Sequence, residues 1–190
     1  MLLTDVAILE TVLEQHRLAL GADLPGYRHH AYRVLNLCRR LAPASLDIEK
    51  VAIAAVFHDL GIWSDRTFDY LTPSANLAAA YLHQIGRASW TPEITGAILN
   101  HHKISPSVAV PRRTGHVDQD GSTGESLVEP FRRADWIDIT GGIVSFGIPR
   151  QFVRQLQERW PDAGFHWRLV QLSLQRFREH PLNPLPMVRL

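Results

Sequence analysis

Residues 51–63 read VAIAAVFHDLGIW: seven apolar positions in a row, after which His58 and Asp59 stand side by side. A run this continuously apolar suits a helix buried on most of its sides. Ser45 is its expected cap and Gly61 its expected stop, so the segment reads as the central helix of the fold. Ending such a helix on two ionisable residues needs a reason, because polar groups in a core are costly unless something pairs them.

Outward from this segment, helical periodicity recurs and strand-type alternation does not, so the expected fold class is all-α. A first helix is expected over roughly 4–20 with Gly21 as its stop, and a second over roughly 27–42, ended by Pro43. Thr72 before Pro73 and Thr91 before Pro92 pair a capping hydroxyl with a proline at the first helical position, predicting helices near 73–85 and 92–102. Between Lys103 and about Glu125 the composition turns to Pro, Gly, Ser, Thr and charge, a long loop that reads as a functional lid or a mobile insert. Helices near 126–139, 149–160 and 165–179 follow, and the proline-rich end HPLNPLPMVRL stops the last one. At 190 residues and 45% hydrophobic, the chain is expected to form a single domain with its core in about 25–140 and the helices of 149–179 packed on it.

Twenty Lys and Arg against nineteen Asp and Glu leave a formal charge of +1, without the basic excess of an extended nucleic-acid footprint. The one cysteine, Cys38, excludes an intrachain disulfide and any multi-cysteine zinc or iron–sulfur site, which suits a reducing compartment; the cytoplasm is expected. The opening MLLTDVAILETVLEQH carries Asp5 and Glu10 inside its apolar pattern and lacks a basic leader, so it reads as an amphipathic helix rather than a signal peptide or membrane span. The expected partners are a small-molecule substrate and, for assembly, a second copy of the chain.

Helical spacing sorts the ten histidines. Positions 30, 34, 37, 38 and 41 read His, Val, Leu, Cys, Leu, while 29, 33, 36 and 40 read His, Arg, Asn, Arg; His30 is expected inward and His29 toward water. His101 continues the apolar face of Ile94, Ala97 and Ile98, with His102 about 100° round the helix. Val128, Phe131, Ala134 and Asp135 form the apolar side of a later helix, and Asp138 competes with Asp135 for the inward position. One inward His or Asp is ordinary, but four helices each sending one to a common interior points to a divalent cation. Imidazole and carboxylate without thiolate suit iron, manganese, nickel, cobalt or zinc.

The order His30, His58–Asp59, Asp135, with HAYRVLNL around the first and FHDLG around the second, resembles the HD superfamily of metal-dependent phosphohydrolases. The resemblance spans roughly residues 25–140 and implies one metal ion at the centre of a helical bundle, held by His30, His58, Asp59 and Asp135. It implies hydrolysis of a small phosphorylated molecule, nucleotides included, by metal-activated water. His101, His102 and Lys103 are candidates to protonate a leaving group or bind an anion, and Asp65, beside Arg66, to orient water. Arg33, Arg112, Arg113 and Lys103 are the available phosphate partners. Ile62 stands where many members carry a lysine and where nucleotidase-like members carry a glutamate. His83, the residue available to a two-metal member, is expected on the surface. The alternatives are a hydratase resembling the cyanamide hydratases, a di-iron oxygenase using His83 and His101, and a metal-binding regulatory module without catalysis; the aromatic residues Trp63, Phe68 and Tyr70 favour the first two.

Overall fold

The computed structural model describes residues 1–105 and 127–182, and among these every regular element is helical. In chain order they are α1 (Ala7–Gln15), α2 (Arg17–Leu20), α3 (Leu24–Leu41), α4 (Ile48–Phe57), α5 (Gly61–Ser64), α6 (Leu71–Gln84), α7 (Thr91–Asn100), α8 (Val128–Ile139), α9 (Arg150–Arg159) and α10 (Phe165–Glu179). None of the described helices is long and apolar enough to cross a membrane.

The segment around residues 51–57 is the centre of the bundle. Every residue from Val51 to Phe57 is buried, and α1, α3, α6 and α7 all pack on α4. Ala52, Ala54 and Ala55 make this possible, since a helix surrounded by four others needs short side chains where axes come close. Asp47 caps α4 by accepting a 2.8 Å hydrogen bond from the Glu49 N–H, so the cap is Asp47 and not Ser45. After Phe57 the chain tightens: the Leu60 N–H donates to the Phe57 carbonyl at 3.1 Å, and α5 begins at Gly61. A Cβ at Gly61 would lie 2.7 Å from the Tyr70 carbonyl oxygen, so only glycine lets α5 meet the start of α6. The Gly61 N–H uses that approach to donate to Ser74 Oγ at 2.9 Å. Gly61 is therefore a point of close contact rather than the stop of α4.

Other boundaries shift for local reasons. The first helix breaks at His16, where φ −101 and ψ 10 leave the helical region, and Gly21 ends α2 at positive φ. Pro25 in the first turn lets α3 start at Leu24. Prolines also mark the first turns of α6 and α7, but neither Thr72 nor Thr91 makes a capping bond, because both lie inside the helix after Tyr70 and Trp90. α8, α9 and α10 fall where periodicity places them. Most of the 103–125 loop, with Arg112 and Arg113, lies outside the described residues, as does the end of the chain from residue 183.

The largest departure is on α3, which is buried on both of its sides. α8 packs along it beside α4, and Trp160 stacks on Tyr32 with ring centroids 5.2 Å apart. The stripe of His29, Arg33 and Asn36, expected toward water, is thus largely covered. Arg33 is 2% exposed, Asn36 bonds the Leu3 backbone, and His29 Nδ1 is hydrogen-bonded to the Pro161 carbonyl.

Candidate metal centre

Three histidines reach the bundle interior from α3 and from the ends of α4 and α7, and each is held by its outer ring nitrogen. His58 Nδ1–H donates to the Ala55 carbonyl at 2.9 Å and His101 Nδ1–H to the Ile98 carbonyl at 2.6 Å. His30 Nδ1–H donates to Asp138 Oδ2 at 2.7 Å. A carbonyl or carboxylate can only accept, so these bonds fix a proton on Nδ1 and turn each Nε2 inward, where it is the atom that a cation would meet once it carries no proton. That tautomer, anchored from behind, is the usual state of a metal-ligating imidazole.

The inward atoms converge. His30 Nε2 and His58 Nε2 are 2.9 Å apart, although two lone pairs at that distance repel unless a proton or a cation lies between them. Asp59 Oδ2 is 3.6 Å from His30 Nε2 and 3.5 Å from His58 Nε2, and Asp135 Oδ1 is 3.7 and 3.6 Å from the same two atoms. His101 Nε2 faces Asp59 Oδ1 at 3.3 Å, and His102 Nδ1 faces Asp135 Oδ2 at 3.7 Å. Asp59 Oδ1, His101 Nε2 and both Asp135 oxygens are buried without a hydrogen-bond partner. Orphaned ligand-type atoms in a native core need a ligand. His30, His58 and Asp59 form one close donor set that could hold a metal ion, and Asp59, His101 and His102 form another, with Asp59 common to both.

Electrostatics point the same way. Burial opposes charge on His58, but the Asp59 and Asp135 carboxylates outweigh it and raise the imidazole to about 9. Burial likewise opposes charge on Asp59, and the surrounding histidines overcome it and hold the carboxyl far below its ordinary range. The protein part of the site thus seeks positive charge, which is the condition a divalent cation meets. Burial, followed by the charge of His101, pushes His102 down to about 4, so near neutral pH it is an uncharged imidazole.

A supporting layer sets these side chains. Asp138, which accepts from His30, also accepts from Arg33 Nε at 2.6 Å and Arg33 Nη2 at 2.9 Å, while Arg33 Nη1 donates to the Trp160 carbonyl. Phe165 stacks on the His30 ring with centroids 4.1 Å apart and planes at 16°, and Phe131 meets His58 edge-on at 5.4 Å. The Tyr70 hydroxyl shares a 2.6 Å hydrogen bond with His102 Nε2.

The structure therefore brings together His30, His58, Asp59, His101, His102 and Asp135. Arg33 is not available to a phosphate, because its guanidinium is spent on Asp138 and on backbone carbonyls. Asp65 is exposed on the turn after α5 and bonded to Ser64, outside the cluster. His83 is exposed on α6, so the second donor set draws on His102 instead. Lys103 is half-buried directly after the two histidines. Of Trp63, Phe68 and Tyr70, the last two pair with ring centroids 6.1 Å apart and Tyr70 also meets His102, while Trp63 turns to Tyr27 and Phe165. The supporting roles of Asp138, Tyr70 and Phe165 depend on partners distant in sequence, and only the spacing of Asp135 and Asp138 on one face of α8 hinted at any of them.

An all-helical bundle whose central helix ends on a His–Asp pair, inside a closed cage of imidazoles and carboxylates, defines a class of metal-centred helical proteins. The family model described as the HD domain matches residues 27–120, so this part of the chain is an HD domain. No curated protein and no solved structure matches the chain. The family binds divalent metals and consists mostly of metal-dependent hydrolases; residues 27–120 contain every inward histidine and Asp59, while Asp135 joins the cage from beyond the matched segment.

Proposed function

We propose that the protein is a metal-dependent phosphohydrolase cleaving a small phosphorylated molecule, with nucleotides in its substrate class. The observation that supports this most is the set of buried, unpartnered atoms on Asp59, His101 and Asp135 facing the inward Nε2 atoms of His30 and His58. In this reading His30, His58, Asp59 and Asp135 hold one divalent transition metal. When bound, such an ion supplies a water acidified toward neutral pH and polarises the substrate oxygen it touches. Asp138 and Arg33 keep His30 in its ligating tautomer. His102, neutral near pH 7 and bonded to Tyr70, accepts and relays a proton at Nδ1, and Lys103 supplies positive charge to an anionic substrate. The closed aliphatic and aromatic surround, from Phe57, Phe131 and Phe165, keeps bulk water from the site.

A second reading rests on its own observation. Asp59, His101 and His102 place a second donor set against the first, and a carboxylate common to both sets could bridge two ions. This arrangement supports two-metal chemistry, oxidation included. Elemental analysis of the purified protein, paired with assays of a generic phosphodiester and a nucleotide panel under manganese, nickel, cobalt and iron, separates the readings. One metal per chain with phosphate release is the expected result. Two irons, or bound metal with no release from any compound, would remove the mononuclear phosphohydrolase and leave oxidation, hydration or a regulatory role.

A further inference from the structure

α10 is apolar on two faces. Its inner face is docked: Phe165 is buried against His30, and Leu169 and Leu172 pack on the core beside α3. Its outer face carries Trp167, Val170, Leu174 and Phe177, which are 63%, 45%, 53% and 54% exposed. Their spacing of three, four and three residues is the seam of a helix that packs on another helix. A docked helix with large apolar side chains on its wet side has an unmet packing requirement.

We propose that two copies of this chain associate through α10, packing the Trp167, Val170, Leu174 and Phe177 seams antiparallel about a two-fold axis. Area supports a second copy as the occupant. The four side chains expose roughly 400 Å² of apolar surface per copy, enough for the apolar centre of a standard interface in which each partner contributes about 800 Å². The flanking His166, Gln171, Ser173 and Arg178 form the polar rim.

The seam is also self-complementary, as an isologous interface requires. Antiparallel pairing sets Trp167 against Phe177 and Val170 against Leu174 of the second copy, while Gln171 and Ser173 leave the middle of the seam free of opposed charges. Parallel pairing would place Trp167 on Trp167 and gather Arg176 and Arg178 of both copies at one end. Antiparallel pairing separates those arginines by about the length of the helix, on the order of 20 Å.

Sedimentation velocity of the full chain up to about 100 µM tests this. The expected result is a concentration-dependent dimer that Leu174→Glu/Phe177→Glu converts to a monomer with unchanged helical circular dichroism. A wild-type protein that stays monomeric, or a variant that still dimerises, overturns the proposal. Should the double variant fail to fold, cysteine cross-linking decides, since Cys38 is buried and does not interfere. Val170→Cys and Leu174→Cys proteins should cross-link when mixed and not when alone; self-linking of Val170→Cys would overturn the antiparallel arrangement.

Discussion

Asp135 and Asp138 stand less than one helical turn apart on α8, face the same interior and have different partners. Spacing alone puts both on one face, so nothing in the sequence separates them. The separation comes from Arg33, far away in the chain, which binds Asp138 with two donors and leaves Asp135 unpartnered. Arg33 itself was illegible for a related reason: it lies on a polar stripe of α3, and only α8 and the Trp160 segment cover it. The inward histidines were legible because each continues an apolar stripe of its own helix. Asp59→Ala and Asp135→Ala should each abolish bound metal in elemental analysis while helical circular dichroism persists. Asp138→Asn should retain metal with affinity weaker by about 10–100-fold, the usual effect of losing a ligand's supporting partner. Equal metal loss at Asp135 and Asp138 would contradict this division. His58 adds a pH dependence. Its pKa is raised from about 6.5 to about 9, so in metal-free protein the protonated imidazole contributes stability that is complete below about 6.5 and lost as pH rises through about 9. Metal binding needs the neutral imidazole and displaces that proton, so affinity rises over the same window. The melting-temperature gap between metal-loaded and chelator-treated protein should therefore widen from about pH 6.5 toward 9; a constant gap would exclude His58 as a ligand.

At the scale of the element, α4 shows why the central helix could be read and its end could not. An unbroken apolar run with three alanines has few solutions other than a buried helix, and the structure surrounds it on every side. Where it stops depends on tertiary contact. Gly61 looked like a helix stop, yet it is required because the start of α6 crosses it, with the Tyr70 carbonyl where a Cβ would be. The prolines of α6 and α7 mark first turns correctly, but the capping threonines beside them are drawn inside the helices. Gly61→Ala should cost about 1–3 kcal/mol by overpacking the α5–α6 contact, lowering the melting temperature by about 3–10 °C. The backbone N–H of residue 61 is kept in that variant, but its bond to Ser74 Oγ lengthens as α6 is pushed away. A melting temperature equal to wild type would show that α6 can shift freely, and that the close approach does not set the turn behind His58 and Asp59.

For the whole molecule, the cage matters because it ties together segments far apart in sequence. His30 comes from α3, His58 and Asp59 from the end of α4, His101 and His102 from the end of α7, and Asp135 from α8. Without a cation these elements converge on two carboxylates and several lone pairs, a cluster that opposes close packing. An ion that binds the native arrangement and not the unfolded chain stabilises the fold by mass action, by about 4 kcal/mol at a thousandfold excess over its dissociation constant. For a chain of this size that corresponds to a rise in melting temperature of about 8–16 °C. The rise should appear with at least one of manganese, iron, cobalt, nickel and zinc, vanish in Asp59→Ala, and be accompanied by slower amide exchange in α3 and α8. The exchange pattern is the decisive part. Protection confined to the ends of α4 and α7 would mean that the ion is held by Asp59, His101 and His102 alone, whereas protection reaching α3 and α8 requires His30 and Asp135 in the same shell.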